Sequence, residues 1–149
     1  VSSPDFFPTF LEAAGAKKPG GLQVDGFSLV PVFTGGTLPE RSLFWHYPHY
    51  GNQVGAPAAA IRKGTHKLIR WFEEDRVELF DLSNDLAEAQ NLAPARPDLV
   101  DALGAELISW QEDVGAKFPT SNPAYDPAKP SGRAAVGKPE ASAVKGKKQ

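Results

Sequence analysis

The chain has 149 residues, which on length alone corresponds to one domain. Hydrophobic residues make up 41% and aromatic residues 10%, enough for one core, and the sequence lacks the run of about 18 apolar residues that a membrane-spanning helix needs. Because it contains no cysteine, it excludes disulfides, thiolate metal ligands and a cysteine nucleophile. It also contains no methionine, and we therefore expect Val1 to be an internal position of a longer protein.

The formal net charge of −2 combines two unlike regions. Residues 129–149 carry six basic residues against Glu140 alone, which leaves the rest of the chain acidic. An acidic body argues against a nucleic-acid surface, because neutralising phosphates requires a basic face. Residues 128–149 also lack aromatic residues, and this composition predicts a disordered basic tail. The tail is either solvated or a loose anchor for a polyanion.

The first part of the chain predicts a helix followed by a long loop. Apolar residues recur at helical spacing from Phe7 to Ala14, within a segment that runs from Ser3 to Gly15. Pro8 is expected to kink or restart this helix. Residues 17–41 are rich in Gly and Pro and predict a surface loop. A loop of this length is uncommon inside a compact domain, so we expect it to pack against something outside this chain.

Four short β-prone runs follow, each bounded by polar, Gly or Pro residues. The runs extend from Leu43 to Tyr47, Ala58 to Arg62, Lys67 to Phe72 and Arg76 to Leu82. The turn sequence Lys63-Gly64-Thr65 joins the second and third runs as a hairpin. Together the runs predict an antiparallel meander of three to four strands, and a sheet this small needs cover on one face.

A helix is predicted from Pro97 to about Gly115. An apolar stripe passes through Leu99, Leu103, Leu107 and Trp110. Proline is well tolerated in the first turn of a helix, which supports this start. We expect the helix to cover the sheet. The order helix, long loop, strands and helix predicts an α+β fold.

Candidate ligand-binding residues cluster where the first strand enters a loop. Residues 45–53 are dense in His, Tyr, Asn and Gln and include His46, Tyr47 and His49. Aromatic faces stack on sugar rings, while imidazole and amide groups hydrogen-bond to hydroxyls or anionic oxygens. One alternative is aromatic packing with two incidental histidines. Another is a zinc site completed by His66 and carboxylates, although no helical spacing or paired motif supports it.

The carboxylates do not form a pair suited to acid–base catalysis. Glu73, Glu74 and Asp75 fall in a turn, and Asp81 and Asp85 are placed to cap the segment after the last strand. The sequence lacks G-x-S-x-G, a phosphate-cradling glycine loop and H-E-x-x-H. The residues by themselves therefore describe a folded accessory domain with one ligand-facing loop.

Several phrases, in their order and spacing over about residues 1–115, resemble the C-terminal part of an arylsulfatase-type sulfatase of the alkaline phosphatase superfamily. They are S-P-D-F-F-P-T-F from Ser3, D-G-F-S-L-V-P from Asp25, F-W-H-Y-P-H-Y from Phe44, A-I-R-K-G-T-H-K-L-I from Ala60, V-E-L-F-D-L from Val77 and N-L-A from Asn91. The tail lies outside the resemblance.

The resemblance implies a large N-terminal α/β domain and a smaller C-terminal subdomain, in which a four-stranded antiparallel sheet packs with a helix. On this basis residues 1–40 would be the end of the N-terminal sulfatase domain, with its helix and crossing loop. Residues 41–127 would be the C-terminal sulfatase subdomain, and residues 128–149 the disordered basic tail. The N-terminal domain of the same protein would then be the structural partner of this chain.

The resemblance also implies hydrolysis of sulfate esters of carbohydrates or aryl compounds, in a periplasmic or secreted protein. The family's nucleophile is a formylglycine hydrate, made in a C/S-x-P-x-R motif beside a calcium ion, and this chain lacks that motif. In the family the motif and the metal ligands lie in the N-terminal domain, so no catalytic or metal-binding residue is assigned here and the chain is expected to be inert alone. The family's C-terminal subdomain borders the active-site cleft, which favours His46, Tyr47 and His49 as substrate-binding residues.

Two other functions stay open from the sequence. A stand-alone carbohydrate-binding or interaction module, without catalysis, would use the aromatic loop and the basic tail, and it requires residues 1–128 to fold alone. A phosphonate or phosphodiester hydrolase of the same superfamily would differ in the nucleophile upstream of Val1.

Overall fold

The computed structural model of the chain describes residues 1–51, 55–73 and 76–124. In chain order the elements are a short 3-10 helix (Ser3–Asp5), α1 (Phe6–Ala13), α2 (Val30–Phe33), β1 (Ser42–Tyr47), β2 (Ala58–Lys63), β3 (His66–Trp71), β4 (Val77–Asp81) and α3 (Pro97–Asp113). The predicted α+β fold, with a four-stranded sheet and a C-terminal helix, is confirmed. The predicted tail, residues 128–149, lies outside the described residues.

The four strands form one antiparallel sheet in the order β1-β2-β3-β4. Its register aligns Phe44 with Ile61, Ile61 with Leu68 and Leu68 with Leu79, so one apolar row crosses the sheet. The β2–β3 turn is tight because Gly64 adopts a positive φ of 57°, a conformation that costs glycine little. Each strand matches its predicted run to within one residue at either end, because alternation and turn signals are local properties of the sequence.

The core lies between α3 and one face of the sheet. Ala59, Ile61, Leu68 and Leu79 of the sheet pack against the buried side chains of α3, Leu103 and Leu107. Full burial of a leucine or isoleucine side chain contributes about 1.5–3 kcal/mol to stability. The predicted cover of the sheet by the last helix is therefore confirmed.

Polar and aromatic contacts fix α3 over β1 and β2. The Phe44 and Trp110 rings stack with centroids 4.8 Å apart and planes 5° apart. The Lys63 Nζ lies 2.7 Å from a carboxylate oxygen of Glu106, and the Ser42 hydroxyl donates to the other oxygen. Lys63, and after it Ser42, lower the pKa of Glu106, because both interactions favour the charged carboxylate.

The N-terminal helix differs from its prediction in two ways. Residues Ser3–Asp5 are 3-10 helix, and α1 then continues through Pro8 without a break. Pro8 lies in the first turn of α1, where a backbone N–H would have no helical partner, so the expected kink does not occur. The apolar side chains Phe6, Phe7 and Phe10 are 50%, 44% and 68% exposed, so the described residues do not bury this face.

The loop of residues 17–41 contains α2, which the sequence did not predict. The Gly and Pro content of the region predicts a loop, yet Pro31 occupies the first turn of α2, where its fixed φ suits a helix. A helix of four residues is too short to show an apolar periodicity. This explains why the pattern of the sequence gave no signal for it.

A buried polar cluster holds the crossing loop against the N-terminal helices. The Phe27 N–H donates to Asp5 Oδ1 at 3.0 Å, and the Leu29 N–H donates to the Thr9 hydroxyl at 2.8 Å. The Thr9 hydroxyl in turn donates to the Asp5 carbonyl at 2.6 Å. The Arg41 guanidinium lies 2.5 Å from Asp5 Oδ2 and stacks over the Phe27 ring. These contacts tie the residues just before β1 to the start of the chain.

The second face of the sheet carries the other alternating set of side chains. Trp45 and Tyr47 of β1 point to this face, and they are 48% and 51% exposed. α3 packs on the first face, as its contacts with the inward-pointing residues show. None of the helices in the described ranges combines enough length with enough apolar character to span a membrane.

Candidate functional site

The predicted ligand-binding residues lie at the end of β1 and in the segment that follows it. Alternation along β1 places His46 on the face that packs against α3 and Tyr47 on the opposite face. His49 lies beyond the strand and is exposed. The structure therefore brings Tyr47 and His49 together and separates His46 from them.

His46 is built into the contact between the sheet and the end of α3. Its Nε2 lies 2.8 Å from the Lys117 carbonyl oxygen, and its Nδ1 lies 2.9 Å from the side-chain nitrogen of Gln111. A carbonyl can only accept, so Nε2 carries the proton and Nδ1 accepts from the Gln111 amide. The ring also lies 5.3 Å from the Phe72 ring and 5.2 Å from the Phe118 ring. Both ring nitrogens of His46 are thus engaged within the chain.

Tyr47 and His49 form the accessible part of the site. Their rings meet edge to face, with centroids 5.6 Å apart and planes at 90°. In the described part of the chain the His49 imidazole makes no hydrogen bond, and about half of Tyr47 is exposed. The neighbouring Tyr50 hydroxyl donates to Glu73. The arrangement offers an aromatic surface with an imidazole at its edge, which suits a polar ring-shaped ligand.

A metal site would need histidine or carboxylate ligands that lie close together. Within residues 1–51, 55–73 and 76–124, no group of three or more His, Asp or Glu side chains is arranged to hold a metal ion. His66, the third histidine of the zinc alternative, lies on β3 and contacts Thr65. The described residues therefore do not fit a calcium or zinc ion, and no step of a reaction is assigned to a metal held by them.

The carboxylates after β4 cap turns, as predicted. The Ser83 hydroxyl and N–H, followed by Asn84, donate to Asp81 and lower its pKa to about 2. Asp85 accepts from the backbone N–H groups of Gln90 and Ala89, which lowers its pKa as well. Carboxylates held in the charged state in this way serve structure rather than proton transfer at neutral pH.

Gln111 is a residue of this region that the sequence analysis missed. It is 3% exposed, and its side chain connects α3 to His46. A signal was present, because position 111 follows Leu107 by four residues and so continues the buried stripe of α3. A polar side chain on a buried stripe needs a partner, and His46 is that partner.

Residues 1–113 match the family described as N-sulphoglucosamine sulphohydrolase, C-terminal. The match includes every helix and strand described above and ends at the last residue of α3. The chain therefore belongs to this family of sulfatase C-terminal domains.

Individual relatives agree with this assignment. A sulfatase of Formosa agariphila is 33% identical over 125 residues, covering 74% of this chain and 23% of the relative. Arylsulfatase A of Homo sapiens is 32% identical over 158 aligned residues, covering 86% of this chain and 30% of the relative. The structure of BT4656 in complex with its substrate, D-glucosamine-2-N,6-O-disulfate, superposes with a TM-score of 0.63 at 28% identity, covering 77% of this chain and 24% of that one. The chain thus spans about a quarter of the length of these sulfatases.

Proposed function

We propose that this chain is the C-terminal subdomain of a sulfatase that hydrolyses sulfate esters of carbohydrates or aryl compounds. The continuous match of residues 1–113 to a sulfatase C-terminal family carries this proposal. A sulfated amino sugar is the substrate class that the likeness to BT4656 favours. The chain contributes a substrate-facing loop and structural support, while the reaction centre belongs to the N-terminal domain. The whole protein acts outside the cytoplasm, in the periplasm or after secretion.

Exposed apolar side chains on this chain support the division into an N-terminal domain and a C-terminal subdomain. Phe6, Phe7 and Phe10 leave apolar area exposed on α1, and Trp45 and Tyr47 do the same on the second face of the sheet. Large apolar side chains exposed together on one surface are typical of protein–protein contact. We assign residues 1–40 to the end of the N-terminal sulfatase domain and residues 41–127 to the C-terminal subdomain. The partner that covers α1 and the Trp45 side of the sheet is the N-terminal domain of the same protein, while Tyr47, next to His49 at the end of β1, stays accessible to substrate.

The cofactors of the proposed enzyme are a formylglycine nucleophile and a calcium ion, both held by the N-terminal domain. The sequence lacks the C/S-x-P-x-R motif, and the described residues hold no metal-ligand cluster. When present, a cation and a positioned nucleophile stabilise the charge that develops on the sulfate oxygens. The residues of this chain act on the other part of the substrate, the group that bears the sulfate. They bind and orient this group, and the binding energy of that contact holds the sulfate ester in the position that the reaction needs.

Within the loop, the geometry favours different roles for the three predicted residues. Tyr47 and His49 are exposed and adjacent, so they support direct contact with a sugar or aryl ring. His46 has both nitrogens engaged and supports a positioning role, because it holds the end of β1 against α3.

The decisive measurement is sulfate release by the whole protein that contains this chain. Substituting His49 by alanine is expected to lower kcat/KM for a glucosamine sulfate about 10- to 100-fold, because a hydrogen bond to a charged or strongly polar group is lost. The value for a small aryl sulfate should change less. His66→Ala is the matched control, since His66 lies on β3 away from the loop. No sulfate release from either substrate overturns the sulfatase proposal, and unchanged kinetics of His49→Ala overturns the loop assignment.

A second substitution separates support from substrate contact. The change His46→Ala leaves the buried Gln111 amide without its partner and is expected to cost about 1–3 kcal/mol of stability. It should lower the denaturant midpoint while kcat/KM for a small aryl sulfate, measured well below the melting temperature, stays close to wild type. If His46→Ala instead lowers activity at unchanged stability, His46 contacts substrate directly and the positioning role is wrong.

A further inference from the structure

We propose that the cavity between the end of β3, the C-terminal half of α3 and residues 118–121 is a second sugar-binding subsite. Its occupant is an unsulfated, hydroxyl-bearing sugar unit of an oligosaccharide. This inference rests on the proposed function in one respect, because it takes the substrate of the whole protein to be a sulfated carbohydrate. The cavity lies on the α3 side of the sheet, whereas Tyr47 lies on the other side. The cavity adjoins the loop through Glu73, which lines it and accepts a hydrogen bond from Tyr50.

The size of the cavity suits a small polar ligand. Its volume is about 590 Å³, within the range of roughly 300–1,000 Å³ that is usual for ligand sites. Arg70, Phe72, Gln111, Glu112, Phe118 and Thr120 are among the residues that line it. The lining therefore combines aromatic rings with both donors and acceptors of hydrogen bonds.

Arg70 is the polar group that nothing else in the fold explains. Alternation on β3 places it on the helix-facing side of the sheet, paired in register with Ala59 and Val77. Its side chain is half-buried, and across the described ranges it makes neither a hydrogen bond nor an ion pair. Of the other described arginines, Arg41, Arg76 and Arg96 each pair with a carboxylate, whereas Arg62 is exposed to solvent. A guanidinium left unpaired at a cavity wall is a ready donor for a ligand oxygen.

The charge of the cavity determines the class of ligand. Two carboxylates, Glu73 and Glu112, line the same cavity as Arg70, so acidic groups outnumber the single basic one. A sulfate group would be repelled by this balance. A sugar ring with several hydroxyls can instead donate to the carboxylates and accept from the guanidinium and the Thr120 hydroxyl. The occupant that fits is thus the neutral part of a glycan rather than its sulfate.

The aromatic wall supplies the apolar contact that sugar rings make. Phe72 and Phe118 meet at 69° with centroids 5.5 Å apart, and Phe118 is 53% exposed. An exposed ring held in place by neighbours loses little entropy when a ligand packs against it. His46 contacts both rings and Gln111, and it thereby connects this cavity to the end of β1.

Two neutral probes test the proposal on the whole protein: N-acetylchitotetraose and desulfated neocarratetraose. At least one should bind by calorimetry, and Arg70→Gln and Phe118→Ala should each raise its Kd about tenfold or more. Arg62→Gln, which removes the same charge from an exposed position of β2, should change Kd less than twofold. Because Phe118 is largely exposed, Phe118→Ala should fold normally and keeps the test valid if Arg70→Gln does not fold.

The outcomes separate this inference from the proposed function. If the protein releases sulfate from a sulfated monosaccharide but binds neither probe, the subsite is wrong and the sulfatase stands. The same conclusion follows if a probe binds but all three variants bind it equally. If no sulfate is released while a probe binds in an Arg70-dependent manner, the sulfatase proposal is wrong and the chain carries a carbohydrate site of its own.

Discussion

Replacing Asp5 by alanine is expected to destabilise the protein by about 3–5 kcal/mol, because it leaves the partly buried Arg41 guanidinium without its counter-charge. The Asp5 side chain is completely inaccessible to solvent, and its two oxygens accept from Arg41, Ser2 and Phe27 at 2.5, 2.6 and 3.0 Å. Loss of the carboxylate therefore breaks three interactions at once. Chemical denaturation at neutral pH, followed by fluorescence, measures the effect.

The same carboxylate predicts a dependence of stability on pH. The Arg41 guanidinium, aided by the Ser2 and Phe27 N–H groups, holds the pKa of Asp5 well below its usual range, against the opposing effect of burial. A folded-state pKa that is lower than the unfolded one gives stability that is fully present above about pH 4 and is lost as the pH falls toward the folded value. We expect the loss of stability between pH 5 and pH 2 to be smaller in Asp5→Asn than in the wild type.

Asp98 provides the control for this prediction. It pairs with Arg96 at 2.8 Å, but its side chain is 64% exposed. Solvent screens such a pair, so Asp98→Ala should have little effect on stability. Replacing both Asp5 and Arg41, the latter by methionine, should recover part of the loss because the unpaired charge is removed as well. Equal losses of stability in Asp5→Ala and Asp98→Ala would show that the buried pair stabilises the protein no more than the exposed pair does.

The sheet and α3 were predictable because their signals are local. The alternation of Val77, Glu78, Leu79 and Phe80 defines a strand with two faces, and the register of β2 with β3 follows once Gly64 fixes the turn between them. The apolar spacing along α3 likewise identifies the face that meets the sheet. In each case residues close together in the sequence determine the element and its apolar face, and the fold determines only which surface that face contacts.

The polar contacts were not predictable in the same way. Asp5 and Arg41 are 36 residues apart, and Gln111 and His46 are 65 residues apart. Nothing in the composition of either segment identifies the other as its partner. One feature of the site could have been foreseen: alternation alone places His46 and Tyr47 on opposite faces of β1. The sequence analysis placed both residues on the first predicted strand, but it grouped them with His49 as one cluster because it did not apply the alternation of side chains along that strand.

The structure also explains why one small sheet can support contacts on both faces. α3 covers the first face through Leu103 and Leu107, and the pair of Lys63 with Glu106 fixes its position. The second face is then free to present Trp45 and Tyr47. His46 connects the two, because it lies on the helix side while the next residue in the chain lies on the open side.

The change Gly26→Ala is expected to cost about 3 kcal/mol, at the upper end of the range for overpacked sites. A methyl group at position 26 would lie 2.0 Å from the Pro4 carbonyl oxygen and 2.7 Å from the Asp5 nitrogen. Both obstacles are backbone atoms, so the crossing loop itself must move away. That movement would break the hydrogen bond from the Phe27 N–H to Asp5 and remove the Phe27 ring from Arg41.

Gly20 is the matched control, because it lies in the same loop, has no positive φ, and a methyl group there would meet nothing within 4 Å. Gly20→Ala should be neutral or slightly stabilising, since it reduces the freedom of the unfolded chain. Hydrogen exchange locates the effect: in Gly26→Ala the amides of Phe27 and Leu29 should lose protection first, while those of β3 keep theirs. Equal stability of the two variants would mean that the loop does not approach Pro4 this closely. Loss of protection throughout the sheet would instead mean that the crossing loop and the sheet unfold as one unit, so that the polar cluster around Asp5 stabilises the entire fold.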